Sequence, residues 1–214
     1  SGLWSCIRET PNRHLSFLHI NCRSILTKQN DIAMLMEQTK AKVVALSETW
    51  LNNTNDVSVV GYRFLAKNRG HGRGGGVGFF IESNLNYSEL SYGDVTDFKT
   101  FEFLVVALHQ KNLPSIIVAV IYRPPSTNVH SFIAEVDQLI QLITKHKNIL
   151  GDFNIDLLKM SSGSSSADFY NLMASHFLLP AFAKPTRCTH GTSTAIDNIF
   201  TNLPLDKCRR RILI

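Results

Sequence analysis

The chain has 214 residues, of which 44% are hydrophobic, and its 22 Lys and Arg side chains exceed its 17 Asp and Glu side chains. This length fits one large domain with a substantial core, and the formal charge of +5 mildly favours an anionic partner such as nucleic acid. The longest apolar run, Ile116 to Ile121, is far shorter than the roughly 20 residues of a membrane-spanning helix, and no secretory leader opens the sequence. We therefore expect a soluble protein with no membrane partner.

The four cysteines indicate the redox environment of the protein. Cys6, Cys22, Cys188 and Cys208 form no Cys-x-x-Cys pair and no Cys/His spacing suited to zinc. This pattern predicts reduced thiols and therefore an intracellular protein.

The first elements along the chain are predicted as a strand, a helix and a second strand. The first strand covers Leu15 to Asn21, and the helix starts at Asn30, a suitable N-cap, and continues to Lys40. The second strand covers Val43 to Leu46 and is closely followed by Glu48. Because a crossover of this kind is right-handed and joins parallel strands, we expect Asn21 and Glu48 at the same edge of a sheet.

A glycine-rich segment, 69–76, precedes the next predicted strand, 77–81. The segment lacks the Gly-Lys-Ser/Thr ending of a phosphate-binding loop, and its glycines lead into a strand instead of linking a strand to a helix. We interpret it as a mobile turn, with Arg69 and Arg73 available to a phosphate backbone.

The second half of the chain contains further strands and helices. One apolar run ends at Tyr122-Arg123-Pro124-Pro125, where the prolines stop the strand and hold Tyr122 at its terminus. In isolation, the default interpretation of Tyr122 is a half-buried aromatic residue with a wet hydroxyl. The predicted elements are strands over 101–108, 115–122 and 195–200, helices over 129–145 and 168–176, a Ser/Gly-rich loop over 160–167, and polar loops over 184–187 and 191–194.

The stretch Asn148 to Asn154 carries the most informative pattern. Its apolar run ends at Gly151, and Asp152 and Asn154 follow two residues apart, so on extended backbone their side chains point the same way. A carboxylate and a carboxamide side by side can take a proton from water and hold a neighbouring oxygen, which is hydrolytic chemistry. The alternative is an Asx turn that closes the strand, since Asp and Asn after Gly are ordinary turn residues.

Six segments taken together resemble a known family. They occur in the order seen in the exonuclease–endonuclease–phosphatase superfamily, and the set is most similar to the apurinic-type endonuclease domain of non-LTR retrotransposons. The resemblance covers about residues 15–202. The segments are Asn21 after the first strand, Ser47-Glu48-Thr49-Trp50, Gly74-Gly75-Gly76-Val77, Ile121-Tyr122-Arg123-Pro124-Pro125, Gly151-Asp152-Phe153-Asn154 and Ile196-Asp197-Asn198-Ile199.

The resemblance implies an α/β fold of a particular kind. The expected architecture is a four-layered α/β sandwich, in which two mixed β-sheets pack face to face and the helices lie outside. We expect a single domain over residues 1–214 that lacks its last strand.

The resemblance also implies a mechanism that uses Mg²⁺, with Mn²⁺ as an alternative. Glu48 would ligate the metal and Asn21 would support it, while Asp152 would orient and deprotonate the attacking water. Asn154 and Tyr122 would hold non-bridging phosphate oxygens in the transition state. The remaining candidates are Asp197, which would fix the tautomer of a catalytic histidine, and Arg69, Arg73, Arg123 and Thr194, which would contact the substrate.

The chain departs from the family pattern near its C-terminal end. The family's last motif is Ser-Asp-His on a final strand beyond the position of Asp197, whereas this sequence has no such triplet and ends with the segment Arg209 to Ile214. None of the eight histidines lies in a matching context, so we expect Asp197 to lack its partner. We also expect a C-terminally truncated domain, an incompletely paired sheet edge where the final strand belongs, and impaired activity.

Three functional hypotheses follow. The favoured one is a DNA endonuclease that nicks target DNA to prime reverse transcription by a tethered reverse-transcriptase domain, in a monomeric, nuclear protein. The second keeps the fold but acts on a phosphoinositide or another small phosphoester. The third is a non-catalytic remnant that binds nucleic acid through Arg69, Arg73, Arg123, Arg187 and residues 207–211, unless the terminal basic run is simply solvated.

Overall fold

Two large β-sheets and three helices form most of the described part of the chain. The computed structural model describes residues 3–8, 15–52, 56–70, 74–92, 97–143, 146–189, 191–203 and 208–213. Within these ranges no helix is long and apolar enough to cross a membrane. The helices are α1 (Gln29–Thr39), α2 (Val129–Leu142) and α3 (Ser165–Ser175). The strands are β1 (Leu3–Arg8), β2 (Leu15–Asn21), β3 (Val43–Ser47), β4 (Tyr62–Lys67), β5 (Val77–Glu82), β6 (Asn86–Glu89), β7 (Glu102–Gln110), β8 (Leu113–Tyr122), β9 (His146–Asp152), β10 (Leu179–Pro180), β11 (Arg187–Thr189), β12 (Thr192–Thr194), β13 (Asp197–Thr201) and β14 (Cys208–Leu213).

The strands form two mixed sheets of six strands each. Sheet A has the order β14-β1-β2-β3-β5-β4 and sheet B the order β10-β13-β9-β8-β7-β6, while β11 and β12 form a separate hairpin. Each sheet contains one parallel pair, β2–β3 in sheet A and β8–β9 in sheet B, among the described strand pairs. These sheets confirm the predicted α/β class.

Three clusters of buried side chains hold the sheets and helices together. One cluster lies between the two sheets and includes Phe17, Phe79 and Val118. A second packs α2 and α3 on the outer face of sheet B, and a third packs α1 on the outer face of sheet A. This arrangement is the predicted four-layered sandwich with its helices outside.

Strand alternation explains why β8 is one continuous apolar run. Ala119 and Ile121 face the helices, whereas Val118, Val120 and Tyr122 face sheet A. Both faces of the strand are buried, so apolar residues occupy successive positions. The alternation also turns Tyr122, at the strand end, toward the space between the sheets.

The first strand–helix–strand unit has the predicted topology. Strands β2 and β3 are parallel, and Asn21 lies opposite Ser47 in their register. The end of β2 therefore lies beside the end of β3, and Glu48 follows Ser47 directly. This arrangement confirms the expectation that Asn21 and Glu48 share one sheet edge.

Helix boundaries differ from the predicted ones by a few residues. Helix α1 begins at Gln29 after Lys28, whose side chain makes no capping hydrogen bond, so the predicted N-cap at Asn30 is wrong. Helix α2 ends at Leu142, before its predicted end, and α3 starts inside the predicted Ser/Gly-rich loop, where the Ser164 hydroxyl caps its first turn. Burial of an apolar stripe stabilises a helix as a whole, but local capping decides where it begins.

Several strands occur where the sequence indicates none. Strands β4 and β6 lie at sheet edges with partly exposed side chains, and the predicted polar loops form the β11–β12 hairpin. The basic C-terminal segment pairs with β1 along six residues, so it is an edge strand and β1 is paired on both sides. The unpaired edge that we expect in this region is therefore the outer side of β14, not β1.

Gly151 on β9 lies close against Ile121 on β8, and we expect its replacement by alanine to push the two strands apart. A Cβ at Gly151 would overlap the Ile121 carbonyl oxygen and lie 2.9 Å from the carbonyl carbon. Because the backbone of a central strand cannot move aside, Gly151→Ala should lower the free energy of unfolding by about 2–3 kcal/mol. Urea unfolding measures this loss. Gly70→Ala is the control, since its Cβ meets nothing within 4 Å, and equal stability of the two variants would contradict the prediction.

Candidate active site

Three of the predicted site residues lie side by side across sheet B. Tyr122 at the end of β8 is in register with Asp152 on β9, and Asp152 is in register with Asp197 on β13. All three are buried. Leu150 and Ile199 face sheet A, so the residues two positions away, Asp152 and Asp197, also point toward sheet A. The register thus places a phenol and two carboxylates in one row between the sheets.

Asn21 connects this row with sheet A. Its side-chain nitrogen Nδ2 lies 2.7 Å from Glu48 Oε1 and 2.7 Å from Asp152 Oδ2, so one amide group donates to a carboxylate of each sheet. Asn21 and Asp152 are almost fully buried, whereas Glu48 is partly exposed. The structure therefore brings these three residues into one cluster that solvent reaches at Glu48.

The glycine-rich segment supports the turn that carries Glu48. Glu48 and Trp50 have φ values of 53° and 54°, in the left-handed region that residues other than glycine rarely adopt. The N–H groups of Thr49 and Trp50 donate to the carbonyl oxygens of Gly76 and Gly75. A Cβ at Gly76 would overlap the Thr49 hydroxyl, so this close approach requires glycine. The end of the segment that we interpret from sequence as a mobile turn, residues 75–76, therefore packs against the Glu48 turn.

Two further predicted substrate contacts, Arg69 and Thr194, have described positions, and a third does not. Arg69 forms an ion pair with Glu102 and lies 5.9 Å from the centre of the Tyr122 ring. Thr194 lies on β12 of the hairpin and is partly exposed. Arg73 lies outside the described residues.

Arg123, the fourth predicted substrate contact, is a buried residue whose donors are already used. It is 3% exposed, and its guanidinium donates to the carbonyl oxygens of Phe153 at 2.7 Å, Asn154 at 2.8 Å and Thr127 at 2.8 Å. Burial lowers the pKa of Arg123, but a guanidinium remains charged in proteins. This placement argues against a direct contact with substrate, because Arg123 instead holds the chain that follows Asp152.

The turn after β9 supports the alternative interpretation of Asp152 and Asn154. Asp152 Oδ1 accepts a hydrogen bond from the Asn154 N–H at 3.0 Å, as in an Asx turn. The strand ends at Asp152 and Asn154 has a φ of 48°, so the rule that residues i and i+2 share a face does not apply. The Asn154 carboxamide donates to the Arg123 carbonyl at 2.7 Å. Asp152 is thus both a turn residue and a member of the cluster, whereas Asn154 is anchored beside it.

Asp197 faces a histidine that we do not connect with it from the sequence. His19 Nδ1 lies 3.9 Å from Asp197 Oδ1, and neither atom has a hydrogen-bond partner among the described residues. The other ring nitrogen of His19 lies 3.2 Å from the Ser47 hydroxyl. The position of His19 two residues before Asn21 on β2 is the signal that could have placed it at the site. His19 is fully buried, so it does not reach a substrate itself.

Burial and neighbouring charges set the protonation of the row. Burial raises the pKa of Asp152, while the hydrogen bond from Asn21 and the charge of Arg187 act in the opposite direction. Burial raises the pKa of Asp197 well above its usual value, and the charge of Asp152 adds to this effect. Burial, followed by nearby carboxylates, raises the pKa of Tyr122 to about 12, so its phenol keeps its proton and can donate a hydrogen bond.

We expect His19 to make the stability of the metal-free protein depend on pH. Burial lowers the pKa of His19 from 6.5 to about 3. Because only the unfolded chain takes up a proton in this range, the contribution of His19 is complete above pH 6.5 and is lost as the pH falls toward 3. At about pH 5 the loss amounts to about 2 kcal/mol.

Urea unfolding in EDTA at neutral and at acidic pH, with His19→Gln beside the wild type, isolates this contribution. The variant removes the titrating ring while both proteins keep the opposing effects of Asp152 and Asp197. Wild type should therefore lose more stability on acidification than the variant. Equal losses of stability in the two proteins would show that His19 is not held neutral by burial in the folded state.

The donors around Glu48 fit a hydrated divalent cation. Mg²⁺ prefers oxygen ligands and keeps several of its waters, so one carboxylate with one supporting side chain is enough. Glu48 is partly exposed, and the carboxamide oxygen of Asn21, which accepts the Arg23 N–H at 3.2 Å, has a second lone pair to offer. No group of three or more His, Cys, Asp or Glu side chains in the described ranges could hold a metal. The oxygen donors of Glu48 and Asn21 are thus of the type that a hydrated divalent cation takes.

A protein-family model and solved structures classify the chain. The model of the Endonuclease/Exonuclease/phosphatase family matches residues 18–213, which is nearly the whole chain. A search of curated protein sequences gives no match.

The solved structures share the fold at low sequence identity. The endonuclease domain of TRAS1, a telomere-specific non-LTR retrotransposon, has a TM-score of 0.68 at 16% identity, covering 87% of this chain and 84% of that one. An AP endonuclease from Leishmania major has a TM-score of 0.66 at 16% identity, with coverages of 91% and 81%. A mannosyl-6-phosphatase from Bacteroides thetaiotaomicron has a TM-score of 0.61 at 15% identity, with coverages of 87% and 85%. The family match and the shared fold agree with the resemblance seen in the motifs. The chain belongs to the Endonuclease/Exonuclease/phosphatase family, whose members hydrolyse phosphate esters and generally use divalent metal ions.

Proposed function

We propose that the chain is a Mg²⁺-dependent DNA endonuclease module that cuts one strand of a duplex and leaves a 3′-hydroxyl. The observation that carries this proposal is the Asn21 amide, which links the carboxylates of Glu48 and Asp152 across the two sheets. The similar TRAS1 domain is described as an endonuclease, and the formal charge of +5 suits a polyanionic substrate.

In this mechanism Asp152 accepts a proton from the attacking water. The water oxygen forms a bond to phosphorus while the bond from phosphorus to the 3′ oxygen breaks, and that oxygen takes a proton from solvent. The neutral Tyr122 phenol donates to a non-bridging oxygen, and Asn154 contributes from its turn beside Asp152. Glu48 and Asn21 would hold Mg²⁺, which supplies positive charge against the phosphate when bound.

The proposal extends to the role of the module in a longer polypeptide. A nicked strand with a free 3′-hydroxyl can prime DNA synthesis, so we propose that residues 1–214 form one domain tethered to a reverse transcriptase. Such a protein would act in the nucleus as a monomer. The similarity to the TRAS1 domain, which comes from a non-LTR retrotransposon, supports this extension.

A plasmid assay tests the proposal. Supercoiled plasmid should become nicked circles when excess protein is added with Mg²⁺ or Mn²⁺, and EDTA should leave it closed. Excess protein is needed because the sequence has no Ser-Asp-His motif and turnover should be slow.

Phosphate release from small phosphoesters without nicking would instead favour a phosphatase, for which the similar mannosyl-6-phosphatase is an argument. Salt-sensitive duplex binding without any hydrolysis would favour a non-catalytic binding role.

A further inference from the structure

Three arginine side chains in the described part of the chain have contacts at or beside the cluster, and they differ in whether their donors are used. Arg123 is buried and donates to three backbone carbonyl oxygens, and Arg69 is paired with Glu102. Arg187, on β11, lies with Nη2 3.6 Å from Asp152 Oδ2, which is too long for a good hydrogen bond. Its positive charge also acts on Asp197, but among the described residues the guanidinium makes no hydrogen bond, so it has donors to spare.

The surroundings of Arg187 suit an incoming anion. Its side chain is 24% exposed while that of Asp152 is 1% exposed, so the guanidinium is more open to solvent than the carboxylate beside it. Asp152 Oδ2 already accepts a hydrogen bond from Asn21, and Oδ1 accepts one from the Asn154 N–H. The carboxylate therefore does not need the guanidinium as a donor. A forked set of unused N–H groups matches the oxygens of a phosphate group.

The hairpin that carries Arg187 is anchored to the row of carboxylates. The Thr186 hydroxyl lies 3.4 Å from Asp197 Oδ2, and the Thr186 N–H donates to the Thr194 carbonyl. Arg187 lies opposite Thr194 in the register of the hairpin. These contacts hold the backbone of Arg187 in place, so the binding of an anion requires little further ordering of the chain.

We propose that Arg187 binds a non-bridging oxygen of the phosphodiester that Asp152 hydrolyses, and is thus a substrate-binding residue of this site. The inference rests on the proposed function for the identity of the substrate. It goes beyond a general phosphate contact of a basic residue, because it assigns one guanidinium to the reacting phosphate itself.

Replacement of Arg187 tests the contact during turnover. With protein in saturating excess over plasmid, Arg187→Ala should nick about 100-fold more slowly than wild type, with the loss in the maximal single-turnover rate constant, as for removal of one positioned donor. Arg187→Lys should recover part of the rate, because lysine keeps the positive charge but lacks the planar set of guanidinium N–H donors. Low, non-denaturing guanidinium chloride should partly restore Arg187→Ala, and sodium chloride should not. Lys184→Ala removes an exposed charge from the same loop and should nick like wild type.

A binding measurement decides the question without turnover. Titration calorimetry with inorganic phosphate in EDTA should give equal affinities for wild type and Lys184→Ala, and an affinity several-fold weaker for Arg187→Ala. A wild type that binds phosphate through Arg187 but never nicks DNA would overturn the proposed function and leave this contact standing. Unchanged phosphate binding in Arg187→Ala, or no phosphate binding by wild type, would overturn the contact. A slow Arg187→Ala with unchanged phosphate binding and no guanidinium rescue would show that Arg187 only neutralises Asp152.

Discussion

Asp152→Asn should nick supercoiled plasmid about 1,000-fold more slowly than the wild-type chain in Mg²⁺, as expected when a general base is removed. The amide has the shape of the carboxylate and keeps one oxygen that accepts from either Asn21 or the Asn154 N–H, but it cannot take a proton from water. Single-turnover gel assays measure the rate. Asp168→Asn makes the same change of charge at an exposed position of α3 and should nick at the wild-type rate. Equal rates for the two variants would contradict the role of Asp152.

The same variant should stay close to wild type in stability, which separates loss of chemistry from loss of fold. Burial raises the pKa of Asp152, so the folded state favours the protonated form more than the unfolded state does. The resulting stabilisation is present at acidic pH and is lost as the pH rises through the raised pKa. A neutral amide removes this dependence. The single oxygen of the amide, however, accepts only one of the two hydrogen bonds that the carboxylate receives from Asn21 and the Asn154 N–H, which costs about 1–3 kcal/mol. The two effects oppose each other, so urea unfolding in EDTA at neutral pH should place Asp152→Asn within about 2 kcal/mol of wild type, and a larger loss would attribute inactivity to unfolding.

Arg123→Met should lower the free energy of unfolding by about 3–5 kcal/mol, the largest stability change we expect here. The methionine keeps much of the aliphatic length but leaves the carbonyl oxygens of Phe153, Asn154 and Thr127 without their donors. Buried acceptors without donors are costly because they have also lost water. The chain that follows Asp152 should then loosen, so nicking should fall as well.

Two further variants make the Arg123 prediction specific. Arg123→Lys keeps the positive charge but lacks the planar guanidinium with its several donors, so its stability should lie between those of wild type and Arg123→Met. Arg63→Met removes an exposed arginine from β4 and should cost less than about 1 kcal/mol. Urea unfolding of the three variants gives the comparison. A cost for Arg123→Met no greater than that for Arg63→Met would show that the buried bonds contribute little.

Sequence patterns predict the inner strands well because those strands are buried on both faces. The apolar runs of β2, β3 and β8 end on Asn21, Ser47 and Tyr122, and each polar residue lies in the space between the sheets. The parallel pairing of β2 and β3 follows from chain order and handedness. Edge strands such as β4 and β6 are partly exposed and carry no such pattern.

The details of the site depend on contacts between distant parts of the chain, which local patterns do not contain. His19 meets Asp197 only because the two sheets pack face to face. Arg123 looks like an available cation in the sequence, yet the turn after β9 supplies it with three acceptors. Asn154 leaves the face of Asp152 because its backbone is left-handed, a choice that the order Gly-Asp-Phe-Asn does not specify.

The hydrogen bond between Asn21 and Asp152 makes the site sensitive to how the two sheets are aligned with each other. Successive residues along a strand are about 3.3 Å apart, so a slip of one position between the layers would exceed the span of that bond. Heat, denaturant or a distant core substitution could let one sheet shift over the other. Hydrolysis would then stop, although each sheet would keep its own backbone hydrogen bonds. Loss of cutting would then be the earliest sign of damage, ahead of any change in strand content.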